Sequence, residues 1–180
     1  YAIPAGASDH ELGGHGFARW AFELEDQEKE LGFKFDNFIV CSVTGSSQGG
    51  MIAGLAHSNR AKDVIGIDAS ATVQQTWDQI ARIARRTAKA IELGREIADE
   101  EIILLDRWHD GIYGVAGPRT IEAIKHLGRT EGVITDPVYE GKSIAALIDL
   151  VREGYFPAGS KVLYVHLGGQ PAINAYTTAF

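Results

Sequence analysis

The stretch "FIVCSVTGSSQGGMIAGLA", Phe38 to Ala56, decides the fold. It opens on the continuous apolar run Phe38-Ile39-Val40, crosses a loop of hydroxyls and glycines, and ends in Met51-Ile52-Ala53-Gly54-Leu55-Ala56. That order reads as strand, loop and helix. Three further strand-sized runs match the first: Val64-Ile65-Gly66-Ile67, Ile102-Ile103-Leu104-Leu105 and Val162-Leu163-Tyr164-Val165. Continuous rather than alternating apolarity suits strands covered on both faces.

Between these runs the spacing is helical. From Val73 to Leu93, Trp77, Ile80, Ala84, Ala88 and Ile91 recur at intervals of three and four, with Arg82, Arg85 and Arg86 between them. A second helix is expected to begin near Pro118, with Ile121, Ile124 and Leu127 as its stripe, and a third to run from about Ser143 through Ile144, Leu147, Ile148 and Val151. The polar opening Gly6 to His10, followed by Gly13, Gly14 and Gly16, reads as a loop before a helix holding Phe17, Trp20, Phe22 and Leu24. Strand and helix in alternation predict an α/β fold: an open, mostly parallel twisted sheet with helices on both faces.

Composition narrows the function. The 180 residues are 45% apolar, enough for a real core, and carry a formal net charge of -7 with a pI near 5.3. Positive charges are scattered among acids, so nucleic acid is disfavoured as a partner. No apolar run reaches bilayer length and no signal-peptide pattern opens the chain, which points to a cytoplasmic protein. The single cysteine, Cys41, excludes an intrachain disulfide and reads as a small core residue at the end of a buried strand rather than a nucleophile. The six histidines show no pair at zinc-ligand spacing, so a metal is not indicated.

Three loops carry candidate chemistry. In an open parallel sheet, ligands sit beyond the carboxyl ends of the strands, where a helix start offers free N–H groups. Thr44, Ser46 and Ser47 add hydroxyls there, and Gly45 lets the backbone come close, so phosphate is the natural guest. An ordinary N-capped turn uses the same residues. The loop lacks a Walker lysine and the G-x-G-x-x-G spacing, which disfavours a nucleotide. In "TDPVYEGKS", Thr135 to Ser143, following the short apolar run Gly132-Val133-Ile134, Tyr139 and Glu140 offer a phenol that moves protons and a carboxylate that holds a cation. The plainer reading makes Asp136-Pro137 a turn and Glu140 an early helical acid, and it leaves Lys142 as a surface cation rather than a Schiff-base lysine. In "HLGGQPAINAY", His166 to Tyr176, two glycines end a strand and permit close approach of a flat or anionic ligand before a helix starting around Pro171.

Together with "IPAGASDHELGGHGF" and "VIGIDASA", these motifs in this order resemble the 1-aminocyclopropane-1-carboxylate (ACC) deaminases, pyridoxal-phosphate enzymes of the tryptophan synthase β-like group (fold type II). The resemblance spans essentially the whole chain. It implies that residues 1–180 are the carboxyl-terminal part of the larger pyridoxal-phosphate domain, with the small domain and the cofactor-bearing lysine elsewhere, and that the chain alone is inactive. It implies a cofactor-phosphate cup at Val43, Thr44, Gly45, Ser46 and Ser47, with Glu140 facing the pyridine nitrogen. Tyr139 and Tyr113, the latter in "DGIYGV", match a pair of tyrosines at the substrate, and Leu167 a residue lining the same pocket. A homodimer is implied for the full-length protein.

The activity so implied is ring opening of ACC to 2-oxobutanoate and ammonia. ACC has no α-hydrogen, so the routes proposed for the family are nucleophilic attack on a ring methylene or proton removal from one. In either, a tyrosine near the substrate carboxylate, its phenol ionised by the cofactor's positive field, is a candidate participant. Ser47 and Gly49 stand where the family has threonine and alanine, the second change loosening the helix start, and Trp108 stands where it has tyrosine. Two alternatives remain: D-cysteine desulfhydrase, which shares fold and cofactor but carries small hydroxyl residues at the positions of Glu140 and Leu167, and a non-catalytic phosphate- or nucleotide-binding α/β module.

Overall fold

The computed structural model describes residues 10–180. Of the polar opening, Gly6 to Asp9 lie outside the described residues; from His10 the chain turns, with the Gly13 N–H donating to the His10 carbonyl, and enters α1 (His15–Leu31). The four apolar runs become β1 (Asn37–Ser42), β2 (Val64–Asp68), β3 (Ile103–Leu105) and β4 (Val162–Val165). All three pairings are parallel, in the order β3-β2-β1-β4.

Helices cover both faces, as continuous apolarity requires. Phe38, Val40 and Val64 point to the layer built from α1, α2 (Ser46–Leu55) and α3 (Val73–Ala90). Ile39, Ile65 and Ile67 point to the opposite layer, built from α4 (Pro118–Thr130) and α5 (Glu140–Arg152). The strands alternate sides residue by residue, and each side is closed by its own apolar cluster.

The chain order explains where a ligand belongs. From β1 the chain crosses by α2 to β2 and by α3 to β3, then returns through α4 and α5 to place β4 on the other side of β1. The loops leaving β1 and β4 therefore diverge at a topological switch point, the usual ligand crevice of such sheets.

Several boundaries differ from the sequence reading. Helix α3 ends at Ala90 rather than Leu93, because Glu92 takes a left-handed φ of 55° and the Leu93 N–H turns back to the Ala88 carbonyl. Helix α5 starts at Glu140 rather than near Ser143, because the Asp136 carboxylate accepts the N–H groups of Val138, Tyr139 and Glu140 at 2.8–2.9 Å. The Gly132-Val133-Ile134 run forms no strand and is exposed at Val133 and Ile134. The helix expected around Pro171 is a 3-10 run, Gln170–Ala179, kinked at Tyr176.

Gly49 does not loosen α2. A Cβ there would lie 2.9 Å from Ile83 Cγ2 and 3.1 Å from the Ala84 nitrogen, so its absence lets α2 and α3 close on each other. Lys142 is not a surface cation. It is fully buried, its Nζ donates to the His109 carbonyl at 2.8 Å, and burial holds its ammonium below the usual range. Trp108 is also buried, with its indole N–H on Asp149 Oδ2 at 3.0 Å. These two anchors tie the segment before Tyr113 to the flank of α5.

Candidate functional site

A cleft of about 470 Å³ opens at the switch point. Its floor is the loop from Cys41 to Gln48; Leu167, Gly168 and Gly169 form one wall, and Tyr113, Tyr139 and Glu140 the other. Every residue that the sequence pointed to thus meets in one place. Val43, Thr44, Gly45, Ser46 and Ser47 lie in the first loop, and Leu167 in the loop that leaves β4.

The first loop is built to leave donors free. Gly45 takes a φ of 81° and sits so close to α3 that a Cβ would meet Ile80 Cγ1 at 2.7 Å. Helix α2 starts just after it without any side-chain cap, which leaves first-turn N–H groups and the positive end of the dipole facing the cleft beside three hydroxyls. The loop is held from behind: the Ala69 N–H donates to the Ser42 carbonyl at 2.9 Å, and the Thr76 hydroxyl to the Val43 carbonyl at 3.2 Å. An uncapped helix start with hydroxyls and a close-approach glycine fits a phosphate group.

Glu140 is the first residue of α5 and is buried, 1% exposed. Its Oε2 accepts the Tyr164 hydroxyl, and its Oε1 accepts the Leu167 N–H at 3.4 Å. Burial pushes this carboxyl above the usual range, while the Tyr164 hydrogen bond, the nearby His166 and the Leu167 N–H pull the other way. An acid so placed, with both oxygens oriented and one side open to the cleft, fits the protonated nitrogen of a flat heterocycle.

Tyr113 and Tyr139 come from different segments, and their phenols hydrogen-bond each other, with ring centroids 6.0 Å apart. Burial first, and then the bond with Tyr113, pushes the Tyr139 phenol well above its usual range. The chain's own surroundings therefore work against an ionised phenol. Cys41 borders the cleft but is buried, and burial, reinforced by Glu140 and Asp136, pushes its thiol up, so it stays a core residue.

Sequence reading missed three supports. The run Val162-Leu163-Tyr164-Val165 marks Tyr164 only as a strand residue, although a phenol pointing into a covered face needs a partner. Asp136 does more than form a turn: its carboxylate sets the register that brings Tyr139 and Glu140 to the cleft. Gln48, wholly buried, accepts the Ser42 hydroxyl at 2.7 Å and donates to the Ile103 carbonyl at 2.7 Å, tying β1 to β3 across β2.

Comparison with known proteins agrees with this geometry. The chain is 57% identical over 180 residues to a 1-aminocyclopropane-1-carboxylate deaminase of Methylobacterium sp. (strain 4-46), and 56% identical to one of Rhizobium rhizogenes, covering all of this chain and 53% of each relative. It thus spans about half the length of the curated relatives it matches. Among solved structures, an ACC deaminase homologue superposes with a TM-score of 0.83 at 27% identity, over 100% of this chain and 54% of that one. A fungal L-serine ammonia-lyase from Rhizomucor miehei shares the fold, with a TM-score of 0.61 at 15% identity over 99% of this chain and 59% of that one. The model of the pyridoxal-phosphate dependent enzymes matches residues 1–168, a span that includes the Val43–Ser47 loop, both tyrosines, Glu140 and Leu167: the chain belongs to that family.

Proposed function

We propose that the protein this chain belongs to is an ACC deaminase, converting ACC and water to 2-oxobutanoate and ammonia. The observation that carries this reading is the convergence of the Val43–Ser47 loop, Glu140 and the Tyr113–Tyr139 pair on one cleft. Similarity to the deaminases at 56–57% identity supports it.

Bound pyridoxal phosphate supplies an electron sink for the bond broken in the substrate. The chain's residues do the rest. Thr44, Gly45, Ser46 and Ser47 hold the phosphate through hydroxyls and helix-start N–H groups, while Val43 shapes the cup. Glu140 meets the ring nitrogen and favours its protonated form. Because ACC lacks an α-hydrogen, the ring must open at a methylene, and Tyr113 and Tyr139 are the groups placed to hold or move a proton there. Leu167 lines the substrate side of the pocket. Residues 1–180 are the carboxyl-terminal part of the larger domain; the small domain and the cofactor-bearing lysine belong to the rest of the protein, a cytoplasmic homodimer. The chain by itself is inactive.

The test is incubation of the full-length protein and cofactor with ACC or D-cysteine, followed by identification of the keto acid. Production of 2-oxobutanoate from ACC is the expected result. Pyruvate from D-cysteine, with ACC untouched, would make the protein a desulfhydrase on the same fold. Glu140 in place of a small hydroxyl residue favours the deaminase.

A further inference from the structure

Glu140 meets the cofactor only as well as its own surroundings orient it, and those surroundings centre on one hydroxyl. Tyr164 lies on β4, on the sheet face that packs against α5, and its Oη donates to Glu140 Oε2. The same oxygen lies 2.9 Å from Ser143 Oγ and 3.1 Å from the Glu140 carbonyl, so the hydroxyl is fixed between the first and fourth residues of α5. The Leu167 N–H takes the other carboxylate oxygen at 3.4 Å. Tyr164 itself does not line the cleft.

We propose that Tyr164 is the positioning residue for Glu140, fixing its carboxylate toward the ring nitrogen of the cofactor and favouring its charged form. This rests on the reading of the cleft as the pyridoxal-phosphate site. Burial alone drives a carboxyl toward its neutral form, which would offer the ring nitrogen no negative partner. One strong donor on Oε2 opposes that drift and removes a rotational alternative of the side chain. Strand β4 thus contributes to cofactor binding twice: through its loop at the cleft and through Tyr164 from behind.

The test uses the full-length protein and reads cofactor binding, so it decides the role of Tyr164 whatever substrate is turned over. The Tyr164→Phe variant keeps the ring and removes the donor. Its dissociation constant for pyridoxal phosphate is expected to rise about tenfold, in line with loss of a hydrogen bond to a charged group. The acid limb of the affinity profile should move to higher pH relative to wild type. Combined with Glu140→Gln, Tyr164→Phe should add less than about twofold, because both changes act through one group. Installing 3-fluorotyrosine at Tyr164 keeps ring and hydroxyl but strengthens the donor, and should move the limb to lower pH. An acid limb that stays in place in both variants, with effects that multiply in the double mutant, would show that Tyr164 only fills space and overturn the proposal.

Discussion

The side-chain amide of Gln48 occupies the space that a side chain on Gly66 would need: a Cβ on Gly66 would lie 1.9 Å from Gln48 Oε1. Gln48 crosses β2 at that bare position to reach the Ile103 carbonyl on β3, while Ser42 at the end of β1 donates to it. Gly66→Ala is therefore expected to expel the amide, breaking two buried hydrogen bonds and costing about 3 kcal/mol in urea denaturation. In a Gln48→Ala background the same change should cost under about 1 kcal/mol. Equal costs in both backgrounds would disprove the lock.

Gly45 carries a second steric demand, at the proposed phosphate cup. Gly45→Ala must hold a non-glycine residue at a φ of 81° while its Cβ approaches Ile80 at 2.7 Å. Fold stability should fall by about 1–3 kcal/mol, and affinity for pyridoxal phosphate at least about tenfold. A fluorescence titration of the refolded apoprotein reads the second effect separately.

Glu140 gives a pH dependence of definite sign. Burial raises its folded-state carboxyl above the ordinary value of 4.5, so as pH rises past that value the unfolded chain releases the proton first and stability is lost up to the folded pKa. Glu140→Gln removes this loss. The apoprotein variant should be the more stable of the two at pH 7, by a margin that shrinks as pH falls toward 4.5, while its cofactor affinity drops. Thermal melts at a series of pH values measure the margin; one that grows on acidification would refute the assignment.

Lys142 holds the segment that carries Tyr113. Lys142→Met keeps most of the buried volume but leaves the His109 carbonyl without its ammonium donor. Amide exchange at residues 109–113 should accelerate about tenfold, with protection in β1 and β2 unchanged. Uniform loss of protection would mean that the lysine supports the whole core instead.

Much of this was legible in the sequence. Phe38-Ile39-Val40 and its three counterparts announced parallel strands; the central β1 and β2 are buried, while the edge strands β3 and β4 are half-buried. Glu140 could be named from the family resemblance, but its protonation depends on Tyr164 and Leu167, which lie 24 and 27 residues away in the chain. The burial of Lys142 is hidden from the sequence for the same reason. A lysine five residues past Pro137 looks solvated until the tertiary fold packs α5 against the segment that carries His109. Spacing reveals which side of a helix is apolar; it does not reveal which polar groups that side has partners for.

The position of β1 between β2 and β4 sets the order in which this half of the molecule can mature. The Lys161 N–H reaches Asp36 Oδ2 across a separation of 125 residues, while the Asp36 N–H reaches back to the Lys161 carbonyl. Pairing across so long a loop is entropically dear and slow to form, whereas β1, α2 and β2 are neighbours along the chain. During synthesis the Val43–Ser47 loop can thus form early, yet Leu167 and Tyr164 reach Glu140 only after some hundred further residues have emerged. Until β4 docks, the cleft lacks the wall that Leu167, Gly168 and Gly169 supply.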